Sequence, residues 1–557
     1  MDYDYDLGGY SFPVSTKSHE AQLWFDRGYM WSIGFNHDEA VACFKRAAEA
    51  DPGLAMAYWG IAYACGPNYN KAWEVFDAAD LKRTLAASRE AFVEAWARIH
   101  DASEMEQALI EALAERCKAP EPPDAVDPVI ELDRWTDAYA VAMRKVHRRF
   151  PDNDDVAMLT AEAMMNRTNW ELWDLKTGQI APGADTAEAA EILETAMAHR
   201  EKNQAPSHPG LLHMYIHLME MSPHPQKALK AADQLRGLAP DCGHLQHMPT
   251  HIDILCGHYQ SAVDWNDAGI VADRKFLDQA GADNFYTFYR CHNYHFKAYA
   301  AMFLGQFRPA MEAARELNQT LPESLLRVTS PPMADWMEGF VPTEQHILIR
   351  FGRWEEIIAR PLPKDPDLYA YTTATTHYAK AVAYAAREDV DDAEREAERF
   401  QAARERMPSS RTLLNNSCAD ILTVANEMML GEISYRKGDF DKAFAHLRKS
   451  VALDDNLPYD EPWGWMQPTR HALGALLLEQ GHVEDAAAVY RADLGLDPTL
   501  SRACQHPDNV WSLTGYHECL TRLGRSEEAR IIKQRLDLAN ARSDVPVRSS
   551  CFCRLGH

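Results

Sequence analysis

The sequence predicts an all-α chain, an α-solenoid of stacked helical hairpins, and three observations carry that reading. A small–aromatic–small pattern closed by proline lies early in the chain, in FNHDEAVACFKRAAEADP, with Ala40, Phe44, Ala47 and Pro52 at offsets 0, 4, 7 and 12. Related segments return near the C-terminus around Gly438, Gly481 and Gly524, spaced by 43 and 43 residues. Strand signals are nearly absent, since a short β-branched run such as LLRVTS stands alone between helical patterns.

Each element of the pattern has a physical cause. Small residues let paired helices approach, the aromatic fills the gap between them, and proline ends the helix. The C-terminal copies are RKGDFDKAFAHLRKS, EQGHVEDAAAVYRADLGLDP and RLGRSEEARIIKQRL, and weaker copies are anchored at Gly257, Gly305 and Gly352. The pattern resembles the second helix of the tetratricopeptide repeat (TPR), whose unit is about 34 residues, so each C-terminal copy carries roughly nine extra residues. The extras fall in NLPYDEPWGWMQPTR and TLSRACQHPDNVW. The resemblance spans most of residues 21–540 and implies about seven to nine helix pairs, open or curled into a ring or horseshoe. Such repeats usually bind a peptide or protein partner. The expected organisation is a tail over 1–20, repeats over 21–180, a histidine-rich repeat region over 181–310, repeats with aromatic insertions over 311–540, and a tail over 541–557.

Composition narrows the function. Hydrophobic content of 46% and charge of 25% are ordinary for a soluble, well-packed protein. The net charge of −26 argues against nucleic acid and anionic membranes, which need a Lys/Arg surplus on some face. The opening MDYDYDLGGYSFP has no basic or apolar leader region, and no run approaches a membrane span, so a cytoplasmic protein is expected. The 11 cysteines are odd in number and scattered, and read as reduced, mostly buried thiols. Cys551, Cys553 and His557 are soft-metal ligands at close spacing, but no second CxC or CxxC accompanies them. They read as a disordered terminus with incidental thiols. Phosphate-binding loops, dinucleotide fingerprints and GxSxG elbows are missing from the sequence, which disfavours nucleotide-dependent and serine-hydrolase chemistry.

Histidine carries the functional signal. Ten of the 23 histidines fall in the 88 residues from His208 to His295, where an even spread would place about four. They come in pairs at helical spacing: His213/His217, His247/His251 and His292/His295. Pairs three or four residues apart put two rings on one helix face, and imidazole is the commonest ligand for transition metals. In SHPGLLHMYIHLMEM, Ser207 reads as a helix cap and Pro209 as first-turn proline, after which His213, His217, Glu220 and Met221 form one stripe. Pro249 should open a new helix behind His247, letting His244, His247 and His251 converge near its start. The six paired histidines are the expected metal ligands, with Glu220, His208 and His244 in second rank. Six helix-borne histidines are also the ligand count of type 3 copper proteins, a likeness of number alone. His199, His224 and His258 read as exposed hairpin residues.

The aromatic insertions supply candidate substrate contacts: Tyr69, Trp463, Trp465, Arg470, His471 and Trp511. Two functions fit. One is a metal-dependent oxidoreductase on a TPR-like frame, acting on a small organic substrate, with copper favoured over iron and then zinc. The other is a non-catalytic scaffold binding a protein or peptide partner, with structural histidines. A buried histidine network holding an anionic or polar ligand is a further reading of the same pattern.

Overall fold

Phe44 shows how the hairpins are held. In the computed structural model, which describes residues 3–554, it lies on the helix His37–Ala50 and is fully buried. It sits between Gly28 of the preceding helix, His19–Ile33, and Gly60 of the following one, Ala55–Ala64. A Cβ on either glycine would stand 2.7 or 2.6 Å from the ring, so only hydrogen fits there. Ala40 and Ala47, one turn to either side, are also fully buried. Side-chain caps fix both helix starts: Ser18 accepts from the Ala21 amide and Asn36 from the Glu39 amide.

The chain divides into two units, Met1–Ile252 with Val271–Phe276, and Asp253–Ile270 with Leu277–His557. The division runs through the histidine-rich region rather than around it. In the first unit the hairpin carrying Phe44 is followed by Ala55–Ala64 packed on Ala78–Ala97. Glu104–Leu113, Pro128–Arg149, Asp154–Met165, Thr186–Lys202 and Pro209–Glu220 then pack in succession. The opening segment expected as a tail is a packed strap. Phe12 is 1% exposed, and the Tyr10 hydroxyl donates to Asp155 at 2.7 Å.

The second unit repeats the device of the first. Its hairpins are Thr287–Leu304 with Phe307–Thr320, Ala370–Ala386 with Val390–Glu405, Cys418–Arg436 with Phe440–Asp454, Thr469–Glu479 with Val483–Asp493, and Val510–Arg522 with Ser526–Arg542. Tyr490 stands where Phe44 does, with Gly474 and Gly515 closing on its ring. All six glycines that anchored the sequence repeats have left-handed φ, from +63° at Gly352 to +81° at Gly481. That conformation lets a helix stop and reverse without a Cβ clash. Strand among the described residues is confined to the two-residue pair Thr412–Leu413 and Asn416–Ser417.

The C-terminal segment departs from expectation. Its described part is anchored: Ser550 is 1% exposed, its hydroxyl bonded to Tyr490 and to the His471 carbonyl. Arg554 makes a two-pronged ion pair with Glu518 at 2.7 and 2.9 Å. Cys551 and Cys553 form a disulfide instead of remaining thiols, whereas the other nine cysteines are free. His557 lies outside the described residues. No described helix is long and apolar enough to cross a membrane.

Candidate metal centre

Every residue of Pro209–Glu220 is buried, so this helix is a core element and its polar side chains must find partners inside. His208, not Ser207, caps it. Its Nδ1 accepts from the Gly210 and Leu211 amides at 3.1 and 3.3 Å, and its Nε2 faces Asp155 at 3.2 Å. Both nitrogens are thereby used, and His208 leaves the ligand set.

His213 and His217 project from one face, as their spacing dictates, and neither is exposed at all. Gly243–His247 and the start of Pro249–Leu255 bring His244, His247 and His251 alongside. Ring centroids are 4.8 Å apart for His213–His217, 6.1 Å for His217–His251, 4.7 Å for His251–His247, 6.0 Å for His247–His244 and 4.9 Å for His244–His213. The five imidazoles close into a ring.

Within it, the Nε2 atoms of His213 and His244 are 3.1 Å apart, and those of His247 and His251 are 2.7 Å apart. One ring nitrogen from each of His213, His217 and His244 lies within 4.8 Å of the others, the proximity a shared ion requires. Two nitrogens held about 2.0–2.1 Å from one tetrahedral metal sit roughly 3.3 Å apart, close to the His213–His244 separation.

Glu220 ties the ring together. Its Oε1 accepts from His217 Nδ1 at 2.9 Å and its Oε2 from His251 Nδ1 at 2.6 Å. The carboxylate thus places the proton of His217 on Nδ1 and leaves Nε2 with a lone pair. That Nε2 is buried and has no hydrogen-bond partner. Burial, then neighbouring imidazoles, pushes His213, His217 and His244 well below the ordinary histidine range, so all three are neutral near pH 7. Neutral imidazoles are the form that binds metal.

Aromatic rings wall the cluster. Phe35 lies 4.7 Å from His213 and 5.1 Å from His244, and Tyr69 lies 4.8 Å from His217. Trp170 meets His217 edge-on at 5.8 Å. Phe35 and Trp170 both adopt left-handed backbone, φ +57° and +60°. Non-glycine residues reach that region at a cost of order 1–3 kcal/mol, and such positions cluster at functional sites. Neither residue stood out in the sequence. The Asn neighbours Asn36 and Asn169 are the only local hint of a turn.

The remaining candidates are placed as follows. His292 and His295 belong to the second unit, on Thr287–Leu304, where His295 Nε2 faces Met466 Sδ at 3.2 Å. Met221 is the buried C-cap of Pro209–Glu220. Tyr69 alone among the substrate candidates touches the first unit's histidines. The other five are packed inside the second unit, Trp465 through its ring and the rest through polar atoms that find internal partners. Trp463 donates to Asp454 at 3.0 Å and Trp511 to the Met302 carbonyl at 2.7 Å. Arg470 pairs with Asp455, His471 with Asp493, and Trp465 lies edge-on to His346. His199, His224 and His258 are exposed.

The class this architecture defines is that of TPR-like helical-repeat proteins. No family model matches the chain, and no curated protein matches it in sequence. Among solved structures it is similar to the APC/C hetero-tetramer Cut9–Hcn1, at 12% identity and TM-score 0.30, covering 87% of this chain and 74% of that one. It is similar to Naa15/Naa10 bound to HypK-THB, at 15% identity and TM-score 0.22, covering 94% and 70%. Yeast Tom70 matches at 11% identity and TM-score 0.29, covering 94% and 99%. None of these likenesses carries a reading of function.

Proposed function

We propose that the chain is a transition-metal protein on a TPR-like frame, with His213, His217 and His244 as ligands and oxidation of a small organic molecule by dioxygen as its chemistry. The observation that carries the reading is the buried Nε2 of His217. Its lone pair is set by Glu220, lacks a hydrogen bond, and stands beside two more neutral imidazoles. An unmatched buried acceptor costs about 1–3 kcal/mol, which a bound cation offsets.

The donor set orders the metals. Both Glu220 oxygens accept from imidazoles, so the carboxylate orients ligands instead of binding as one. Three imidazoles without a ligating carboxylate differ from the two-histidine, one-carboxylate set of non-haem iron and suit copper or zinc, of which only copper supplies the redox chemistry proposed.

Elemental analysis of protein purified without a histidine tag tests this directly. A stoichiometric transition metal is expected, and His217→Gln should lose it while the far-ultraviolet circular dichroism stays put and the melting temperature matches that of metal-stripped wild type. Glu220→Gln should weaken metal affinity about 10–100-fold. Wild-type protein that stays metal-free after reconstitution with copper, iron and zinc would sink the reading.

A second reading rests on a different observation. The second unit carries an open cleft of about 660 Å³, lined by Arg315, Asn318, Glu344, Gln345, Leu348 and Arg360 among others. A mixed polar and apolar cleft on a helical-repeat frame suits a scaffold that holds a protein or peptide partner, and metal-free protein would leave that function in place.

A further inference from the structure

Five imidazoles are too many for one ion of the kind proposed above. A catalytic zinc or copper takes three protein ligands and keeps a position open for water or substrate. His213, His217 and His244 already fill that quota, yet His247 and His251 continue the same ring with their Nε2 atoms turned toward each other. The 2.7 Å contact is a hydrogen bond in which the two rings share a proton, and metal binding displaces such protons, so the same two nitrogens become donors to an ion that takes the proton's place. Glu220 treats the two groups alike, holding Nδ1 of His217 from one group and Nδ1 of His251 from the other. With Nδ1 protonated, each of these rings presents Nε2 to the interior of the ring.

We infer that the first unit holds two adjacent metal ions, one on His213, His217 and His244 and a second on His247 and His251, with Glu220 as the shared positioning residue. The inference rests on the metal reading above and extends it from one ion to two. Loading the second position opens the His247–His251 separation from 2.7 Å toward the roughly 3.3 Å that two nitrogens take around a tetrahedral ion. Neighbouring redox ions suit transfers of two electrons, one from each ion, which is the requirement for reducing dioxygen to the peroxide level.

The test is the end-point of an anaerobic copper(I) titration of the full-length, untagged protein against a competing chelator. Ascorbate serves as reductant because it spares the Cys551–Cys553 disulfide. Two tightly bound equivalents per chain are expected. On reoxidation, the copper(II) pair should show much less electron paramagnetic resonance intensity than its copper content, because adjacent ions couple. His247→Gln should then bind one equivalent and regain a full-intensity signal. A wild-type end-point of one, unchanged in His247→Gln, overturns the second ion and leaves the three-histidine centre standing. An end-point of zero overturns both. If His247→Gln fails to fold, the wild-type end-point and signal intensity decide the matter alone.

Discussion

Asp493→Asn should destabilise the second unit by about 3–5 kcal/mol, the range found when one partner of a buried ionic network is removed. Asp493 is fully buried and accepts four side-chain hydrogen bonds: from His471 at 3.0 Å, His506 at 2.9 Å, Asn509 at 2.9 Å and Ser512 at 2.6 Å. An amide replaces one acceptor oxygen with a donor, which then faces another donor. Arg350 joins the network by donating to His471 Nδ1 at 2.8 Å, and Tyr299 joins through His506 at 3.2 Å. Burial lowers His471 to about 4, so near neutral pH it is an uncharged bridge from guanidinium to carboxylate.

The pH dependence follows from the sign of the Asp493 shift. Burial works to raise its pKa, but attraction to His471 (protonated only below about 4, where the carboxyl titrates) and to His506, with the hydrogen bonds from both rings, outweighs that and holds the carboxyl well below the ordinary aspartate value. A depressed carboxylate stabilises the fold above the unfolded pKa of about 3.9, and that contribution is lost as pH falls further. The deficit of Asp493→Asn should therefore be constant from pH 5 to 8 and shrink under acid. Urea melts at several pH values check this; a deficit that grows toward pH 4 would contradict the assignment.

Phe44→Ala is the comparable case in the first unit, with an expected loss of about 3–5 kcal/mol. The ring fills the space that Gly28 and Gly60 leave open, and neither glycine has a side chain to move into the cavity. The loss should be local, because stacked repeats draw their stability from nearest neighbours. Metal content should survive at temperatures where the variant stays folded. His217→Gln should give the reverse result, and the two together separate ligand from packing. Equal destabilisation by both, with metal content unchanged, would make His217 an ordinary core residue.

Much of the fold was readable from residues whose role is local. The reversal glycines, the alanines beside Phe44 and the helix-ending Pro52 each act within one hairpin, so their spacing survives in the chain. Gly28 and Gly60 were not readable, because their meaning depends on which helices become neighbours. The same divide runs through the histidines. His213 and His217 declare themselves by sharing a helix, and Pro249, opening a helix behind His247, makes the convergence of His244, His247 and His251 legible too, but the closing of the two groups into one ring depends on which helices become neighbours. His208 was misread as a spare ligand although it directly precedes Pro209, the place of a cap. The tryptophan-rich insertions offer candidate substrate contacts in the sequence, where proline and tryptophan suit a buried plug as well as a substrate wall.

The wall of Phe35, Tyr69 and Trp170 has a kinetic consequence. Tyr69 and all five imidazoles of the ring are buried, so the proposed ion would lie away from bulk solvent. For an ion held there as proposed, opening of the hairpin turn at Phe35 or the turn at Trp170, where side chains are held on left-handed backbone, offers a route of entry and exit. Exchange of bound metal should therefore follow the rate of local unfolding rather than the strength of the metal–nitrogen bonds. A chelator far stronger than the site should remove the ion no faster than a weaker one. The natural moment for loading is then during folding, before those two turns close.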